Sequence, residues 1–396
     1  MTSKKPEPVS IHLEKGAVFE GMGWGDFSQP LGSEFVFCTA MGGLEESLTD
    51  PSFARQTVVS TVSHAGNTGY TGEDLESGQI WAEGLVCRHL ETQPSNWRAK
   101  QSVPDWILGQ NRYIVSNVDT RSFTTLLREE GSQRGIVARR GSLTDEAARL
   151  YIQKNVPEMG GLDLTTEVSC KSAHDFVLPK EKGYWPLDLE LISRSRGVTP
   201  GSYQPEIIVW DFGVKQNTLR SLATLGARVR VVPASTKAED ILAASPDGIL
   251  LSNGPGDPAA ATHIIAELKK LLGRVPIFAI CLGHQFVAHA AGLKTYKMKF
   301  GHRGVHHPVT ELDRSGHPVR TWITSQNHGF AVDAERLPEG IRVSFLHADD
   351  STVEGLSLPE LQCETVQFHP EAGPGPFEAS RLLKNFVMEV ATRGRA

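Results

Sequence analysis

The chain has 396 residues, a length typical of two or three domains. Hydrophobic residues make up 39% of it and charged residues 22%, which excludes a disordered chain. Its 40 basic and 46 acidic residues give a net charge of −6, so we expect neither nucleic acid nor a membrane surface as a partner.

Localisation is predicted from what the sequence lacks and from its cysteines. No apolar run reaches the ~18 residues of a membrane span, and the first residues lack the apolar stretch of a signal peptide. The five cysteines are scattered and odd in number, which is typical of a reducing compartment. We therefore expect a cytoplasmic protein.

The first half predicts an α+β domain at residues 1–155. Residues 9–90 contain short apolar segments broken by Gly and Pro, which predict strands. The cluster GMGWG (21–25) lacks the strand and helix of a dinucleotide fingerprint, and we interpret it as turns. Residues 116–131, with Asp119 or Thr120 as N-cap, and residues 142–155 predict helices.

Residues 156–205 are rich in Gly, Pro, Lys and Ser without a sustained period, and they predict a linker. The second domain, residues 206–396, alternates apolar strands with amphipathic helices. Strands are predicted at 206–213, 227–233, 246–254 and 275–280, and helices at 215–226, 236–245 (with Ser235 or Thr236 near its cap), 262–273 and 284–292. This alternation predicts an α/β fold with a mostly parallel central sheet flanked by helices. After residue 293 short segments predict antiparallel additions, and residues 376–393 predict a terminal helix.

Cys281 is the candidate nucleophile. It stands between the apolar run VPIFAI and the helical run HQFVAHAAG, a strand-to-helix turn at which a side chain projects from the edge of a sheet. The positive end of the helix favours thiolate, and the backbone N–H of Leu282 could point at an oxyanion. For Cys38, Cys87, Cys170 and Cys363 the context favours ordinary buried thiols.

The sequence FHPEAG supplies a candidate base and its partner. His369 and Glu371 are two residues apart, so they face the same side of an extended segment. Pro370 biases His369 toward an extended conformation. A carboxylate beside an imidazole fixes its tautomer and stabilises the imidazolium.

The sequence LSNGPGDP (251–258) ends a predicted strand with Gly254 and Gly256. One interpretation is a tight turn after a strand. The other is that the two glycines let the backbone approach a ligand at the carboxyl edge of the sheet, with Gly256 as a second oxyanion donor.

Together CLGHQ, LSNGPGDP and HPE resemble the class I glutamine amidotransferases. The resemblance is closer to the small subunits of glutamine-dependent carbamoyl-phosphate synthase and covers nearly the whole chain. In the first half it rests on LEKGAVFEG (13–21), SLTDPSFARQ (47–56), GNTGYTGEDLES (66–77) and VDTRSFTTLLREEG (118–131). In the second half it also includes DFGVKQNTLR (211–220), KMKFGHRG (297–304) and TSQNHGFAV (324–332).

The resemblance implies a reaction and a set of site residues. Cys281 is expected to attack the side-chain amide of glutamine, with His369 as base and acid and Glu371 as its partner. L-Glutamine is expected to be held by residues from both halves: Ser52, Gly254, Gly256, Leu282, Gln285, Asn327, Gly329 and Phe330.

The resemblance also implies a division of labour between subunits. The ammonia is expected to pass to a large synthetase subunit that makes carbamoyl phosphate from bicarbonate and ATP for arginine and pyrimidine biosynthesis. The chain has no phosphate loop, and we expect no cofactor or metal on it, with ATP and a divalent metal on the large subunit. His302, His306 and His307 do not have the spacing of a closed zinc site.

Two other functions remain open at this point. One is an amidotransferase that serves anthranilate or guanylate synthesis, although these enzymes lack the first half. The other is a catalytically silent scaffold for a synthetase subunit. Three places depart from the pattern of the family and bear on the interface with the large subunit: Gly42, the pair Asn117–Val118 where the family usually has Gly-Ile, and His306.

Overall fold

The computed structural model describes residues 5–179 and 203–393. Contacts within the chain define a first unit, residues 1–159 with 298–303, and a second unit, residues 160–297 with 304–396. Of the predicted linker, residues 180–202 lie outside the described residues. No described helix is both long and apolar enough to cross a membrane.

The first unit is built mainly from short strands. These are β1 (Glu7–Leu13), β2 (Val18–Trp24), β3 (Leu31–Cys38), β4 (Gln56–Ser60), β5 (His64–Ala65), β6 (Gly84–Val86), β7 (His89–Leu90), β8 (Tyr113–Ser116) and β9 (Gln133–Arg139). The helices are α1 (Leu44–Thr49), α2 (Val103–Gly109), α3 (Thr120–Glu130) and α4 (Asp145–Asn155). The side chain of Asp119 accepts a hydrogen bond from the Ser122 N–H and caps α3, as predicted.

Seven of these strands close into a barrel, in the order β1-β2-β8-β6-β4-β3-β9. Closure depends on β9, which pairs antiparallel with both β1 and β3. Phe123 and Leu127 of α3 are fully buried against one cluster of strand residues, and Trp106 and Ile107 of α2 against another. The sequence pattern predicted strands and helices here without indicating a closed barrel.

The glycine cluster at residues 21–25 is not a set of turns. Residues 21–24 belong to β2, so that interpretation is wrong. A Cβ at Gly21 would lie 2.7 Å from the carbonyl oxygen of Ser116, and one at Gly23 would lie 2.6 Å from Val9 and the ring of Phe27. The glycines therefore serve close packing within the barrel.

The second unit combines strands and helices along the chain. Its strands are β10 (His174–Phe176), β11 (Glu206–Asp211), β12 (Arg228–Pro233), β13 (Gly248–Leu251), β14 (Ile277–Ile280), β15 (Lys294–Leu312, of which 298–303 count with the first unit), β16 (Pro318–Asp333), β17 (Arg342–His347), β18 (Val353–Leu358) and β19 (Cys363–Val366). Its helices are α5 (Thr165–Val168), α6 (Gln216–Thr224), α7 (Ala238–Ala243), α8 (Thr262–Leu271), α9 (Leu282–Ala290) and α10 (Ser380–Arg393).

These strands form one sheet in the order β10-β12-β11-β13-β14-β19-β18-β16-β15-β17. The five neighbours from β12 to β19 are parallel. At one edge β10 is antiparallel to β12, and on the other side β18 is antiparallel to β19. Of the strands after residue 293, β15 to β18 are antiparallel additions, as predicted. The prediction is wrong for β19, which is parallel to β14 and belongs to the centre of the sheet.

Helices cover both faces of the parallel strands. Ile208 and Trp210 of β11 pack in a buried cluster with α7, α8 and α9, whereas Ile207 and Val209 pack in a second cluster with α6 and α10. This alternation explains why the strands are apolar on both faces. The N-cap of helix α7 is Lys237, next to Thr236, and no side chain there makes a capping hydrogen bond.

Candidate active site

Cys281 occupies a strained turn between β14 and α9. Its φ of 53° and ψ of −104° are unusual for a residue with a side chain. Its N–H donates to the carbonyl oxygen of Val366 at 2.8 Å, which continues the pairing of β14 with β19, and its carbonyl accepts from Gln285 in the first turn of α9. The thiol therefore lies at the carboxyl edge of the sheet, at the start of a helix, and is 2% exposed.

Gly283 allows α9 to begin directly above the neighbouring strand. Its N–H donates to the carbonyl oxygen of Ser252 at 3.1 Å. A Cβ at this position would lie 2.7 Å from the backbone oxygen of Leu251, so a larger residue would push the helix away. The close approach holds the amino end of α9, and the positive end of its dipole, at Cys281.

His369 and Glu371 form the buried pair that the sequence predicted. His369 Nδ1 lies 2.7 Å from Glu371 Oε1, and both side chains are fully buried. The His369 N–H donates to the carbonyl oxygen of Ser325 in β16 at 2.9 Å. His369 Nε2 is buried and has no hydrogen-bond partner in the described part of the chain. The ring is thus fixed at Nδ1 and able to exchange a proton at Nε2.

The surroundings of Glu371 include two residues to which the sequence analysis gave no role. Lys215 Nζ lies 3.6 Å from Glu371 Oε1 and is itself almost fully buried. The side-chain amide of Asn217 donates to the backbone oxygen of Glu371. Burial raises the pKa of Glu371, but the charge and hydrogen bond of His369, with the charge of Lys215, bring the pKa below its usual value. Glu371 is therefore held as a carboxylate.

Asp211 shapes the loop that carries Lys215. Its carboxylate accepts the N–H groups of Gly213 and Val214, each at 2.8 Å, and the N–H of Cys170 at 2.7 Å. Lys215 then immediately precedes α6. The signal in the sequence was DFGVKQN at the carboxyl end of β11, where side chains of an α/β sheet converge on ligands.

The glycine-rich loop after β13 is packed too closely for side chains. A Cβ at Gly254 would lie 2.1 Å from the carbonyl oxygen of Phe212, and one at Gly256, where φ is +98°, would lie 2.7 Å from the carbonyl oxygen of Leu162. The Asp257 N–H donates to Leu162, and its carboxylate accepts from the Gly161 N–H, each at 2.8 Å. Residues 161–163 thus hold this loop in place.

Three of the residues expected to bind glutamine make hydrogen bonds with Cys281 or with one another. The Cys281 thiol donates to the carbonyl oxygen of Asn327 at 3.7 Å. Gln285 Nε2 donates to the carbonyl oxygen of Phe330 at 2.9 Å and to Gln367 Oε1 at 2.8 Å. Because its amide nitrogen is engaged within the protein, Gln285 would contact glutamine through Oε1 or by exchanging these bonds.

The structure brings most of the predicted site residues to one edge of the second unit. Leu282 begins α9, and Gly329 lies with Asn327 and Phe330 in β16. Ser52 belongs to the first unit, where it lies in a short 3₁₀ turn (Pro51–Phe53), and its N–H donates to Asp50 Oδ1 at 2.9 Å.

One of the three histidines considered for a zinc site contacts a fourth histidine. His307 Nδ1 lies 3.2 Å from His347 Nε2.

Comparison with known proteins identifies the family. Residues 11–137 match the model of the carbamoyl-phosphate synthase small chain, CPSase domain, and residues 208–390 match that of glutamine amidotransferase class-I. The carbamoyl phosphate synthase small chain of Vibrio vulnificus is 44% identical over 95% of this chain and 96% of its own length. That of Pseudomonas aeruginosa is 42% identical over 98% and 99%. The chain belongs to the carbamoyl phosphate synthase small chain family.

Membership of this family confirms the predicted resemblance and the class I glutamine amidotransferase domain within an α/β chain. The backbone of the structure also gives a physical reason for one departure from the expected family pattern. Asn117 has a φ of 61°, the left-handed conformation that Gly adopts freely and Asn tolerates better than most residues. The backbone at this position therefore suits Gly, and Asn is one of the few other residues that adopt it readily.

Proposed function

We propose that this chain hydrolyses L-glutamine to L-glutamate and ammonia through a thioester on Cys281. The observation that carries the proposal is the buried contact of 2.7 Å between His369 Nδ1 and Glu371 Oε1, with Nε2 of the same ring unpartnered among the described residues. This arrangement leaves one ring nitrogen available for proton transfer. His369 follows β19, which pairs with β14, and β14 leads directly to Cys281.

The first step forms the nucleophile. His369 Nε2 takes the proton of the Cys281 thiol, and the resulting thiolate is favoured by the amino end of α9. The imidazolium is stabilised by Glu371, whose pKa is held below its usual value. Lys215 contributes a second positive charge at the same carboxylate oxygen, Glu371 Oε1.

The following steps cleave the amide. Sulfur attacks the amide carbon, and the oxyanion accepts hydrogen bonds from the backbone N–H groups of Leu282 and Gly256. His369 protonates the amide nitrogen, the carbon–nitrogen bond breaks and ammonia leaves, so that a γ-glutamyl thioester remains. Water then gives a proton to His369 and attacks the thioester, which yields glutamate and returns the proton to sulfur.

The substrate pocket is proposed to include Gly254, Gln285, Asn327, Gly329 and Phe330 around the thiol, with Ser52 as a further hydroxyl. Amide and backbone groups of this kind can hold both charged groups of an amino acid and orient its side chain. Gly254 supports this role because it leaves no room for a side chain where the loop approaches Phe212.

The ammonia is proposed to serve a large subunit, as the name small chain of the relatives suggests. That subunit would bind ATP with a divalent metal and combine ammonia with bicarbonate into carbamoyl phosphate for arginine and pyrimidine synthesis. This chain would need no cofactor of its own. We also propose residues 1–155 and 206–396 as the domain limits, with 156–205 as the connection.

The test is Cys281→Ala in the full chain, assayed with its large subunit. We expect glutamine-dependent carbamoyl phosphate synthesis to disappear and ammonia-dependent synthesis to remain. The control is Cys170→Ala, a thiol outside the site whose pKa burial raises to about 12, and it should keep both activities.

Three results would contradict the proposal. If the wild-type complex releases no glutamate from glutamine, the chain is a scaffold. If Cys281→Ala removes ammonia-dependent synthesis as well, the two reactions do not have separate sites. If the active chain supports only another synthetase, such as one for anthranilate or guanylate, the partner is wrong although the hydrolysis stands.

A further inference from the structure

A cavity of about 390 Å³ lies in the second unit beside β14 and β19, and all four residues of β19 line it. Pro276 and Gln362, the residues that precede these two strands, line it. Cys281 and His369 follow the opposite, carboxyl ends of the same strands. None of the residues expected to bind glutamine is among those that line the cavity.

A row of three side chains crosses the sheet at this cavity. Arg342 of β17 pairs with Ser357 of β18, and Ser357 pairs with Glu364 of β19. Directly paired residues lie on the same face of a sheet, so all three point to one side. Neighbouring strands are about 4.8 Å apart, which places the backbones of Arg342 and Glu364 roughly 10 Å from each other. Their side chains can therefore approach a small molecule from both sides.

Glu364 lines the cavity and is exposed there, with only part of its carboxyl group covered by neighbours. Burial raises the pKa of its carboxyl group, whereas the hydrogen bond from Ser357 and the charge of Arg342 act in the opposite direction. The Ser357 hydroxyl donates to Glu364 Oε1 at 2.5 Å and so fixes the side chain. A cation that enters the cavity would replace water beside this carboxylate.

The other charged groups in the walls are engaged with neighbours. Glu311 Oε2 accepts from Arg320 Nε at 2.8 Å and from the indole of Trp322 at 2.9 Å. Arg393 Nη2 donates to Glu389 Oε1 at 2.8 Å. The pair that faces the cavity across the sheet is thus one arginine and one glutamate.

The rest of the wall includes aromatic surface. Phe278, Phe345 and Phe386 line the cavity, and the rings of Phe278 and Phe386 stack with centroids 5.6 Å apart. An apolar group in contact with these rings gains from leaving water. The cavity therefore offers a positive group, a negative group and an apolar surface together.

We propose that this cavity binds a small zwitterion with an apolar side chain, of the chemical class of free α-amino acids. Its carboxylate would contact Arg342, its ammonium group Glu364, and its side chain the three phenylalanines. A volume of about 390 Å³ lies within the range of small-molecule sites. The site is separate from the glutamine pocket and goes beyond the proposed function.

The test measures binding of L-leucine to the full chain carrying Cys281→Ala, by ligand-observed nuclear magnetic resonance. Turnover is absent in this variant, so failure of the proposed hydrolysis would not affect the result. We expect a Kd on the order of 1 mM or tighter for a ligand of this size. L-Leucinamide, without the carboxylate, and N-acetyl-L-leucine, without the ammonium group, should each bind at least about tenfold more weakly.

Substitutions at Arg342 and Glu364 test where on the chain the ligand binds. Arg342→Gln and Glu364→Gln should each weaken leucine binding about tenfold or more. The matched controls Arg230→Gln, at an exposed position of β12, and Glu335→Gln change the same charges outside the cavity and should bind leucine like the parent protein. Arg342→Lys keeps the charge and should bind more tightly than Arg342→Gln, which separates loss of the contact from loss of the fold.

Each remaining outcome counts against the proposal. Absence of leucine binding at concentrations well above the expected Kd overturns it. Equal binding of N-acetyl-L-leucine overturns the zwitterion, since an anion site would then suffice. Binding unchanged in both Arg342→Gln and Glu364→Gln places the ligand elsewhere and overturns the site.

Discussion

The two ends of the β14–β19 strand pair each carry a cysteine in a different physical setting. Cys281 follows the carboxyl end of β14, has a φ of 53° and is the N-cap residue of α9. Cys363 begins β19 at the amino end, paired with Ile277. Both are about equally buried, and burial raises the pKa of the Cys363 thiol. Burial alone thus gives an unreactive thiol, so the proposed reactivity of Cys281 rests on its turn and on the helix terminus.

The largest effect is expected from the base at the carboxyl end. His369→Ala removes the proton acceptor for the thiol, and kcat for glutamine hydrolysis should fall about 10²- to 10⁴-fold. Glu371→Ala should be milder because it removes only the group that orients the ring. Steady-state kinetics of both folded variants measure the ranking, and equal loss in the two would contradict it.

Close packing of the glycine-rich loop gives the second prediction. Gly254→Ala places a Cβ 2.1 Å from the carbonyl oxygen of Phe212 and should lower the free energy of unfolding by about 3 kcal/mol, with loss of hydrolysis. Gly160→Ala, where no atom lies within 4 Å of the added carbon, is the matched control. Urea denaturation of the two variants compares them, and similar stability would show that the loop can move.

Substitution of Lys215 tests whether its positive charge supports the function of the His369–Glu371 pair. Lys215→Met keeps the length of the side chain but removes the positive charge 3.6 Å from Glu371, so the pKa of Glu371 should rise. We expect kcat to decrease about tenfold with little change in KM. The pH profile of kcat shows whether the charge of Lys215 matters. If the acidic limb of the profile stays at the wild-type pH, Lys215 has only a packing role.

The lowered pKa of Glu371 predicts how its contribution to stability depends on pH. Because the folded state favours the carboxylate, this contribution is present above the unfolded pKa of about 4.3 and is lost as pH falls through the lower folded value. The stability difference between wild type and Glu371→Gln should therefore shrink in that acidic range. Denaturation at a series of pH values measures it, and a constant difference would argue against a charged Glu371.

The smallest effect is expected at the other end of the strands. A γ-carbonyl electrophile shaped like glutamine should label one thiol per chain, Cys281, because the raised pKa of Cys363 keeps that thiol protonated near neutral pH. Cys363→Ala should label as fast as wild type, whereas Cys281→Ala should not label. Mass spectrometry of the labelled peptides would expose the opposite pattern.

The sequence predicted the candidate site better than the first unit of the fold. CLGHQ and HPE each combine a chemical group with a local backbone constraint, so their geometry is largely decided by neighbours in the chain, as the His369–Glu371 contact illustrates. Lys215 and Asn217 received no role because they come from another loop, and nothing local indicates that they meet Glu371. Closure of the barrel was equally hidden, since β9 pairs with strands about 100 residues earlier in the chain.

The amino-acid sequence by itself determined the family, the alternation of strands and helices, and the side chains proposed to cleave an amide, because period, caps and short motifs act over a few residues. Tertiary structure alone decided which distant groups share one environment. It buried Lys215 beside Glu371, packed residues 161–163 against the loop of Gly254 and Gly256, and aligned Arg342, Ser357 and Glu364 across three strands. Such contacts follow from strand register and helix packing, which only the folded chain sets.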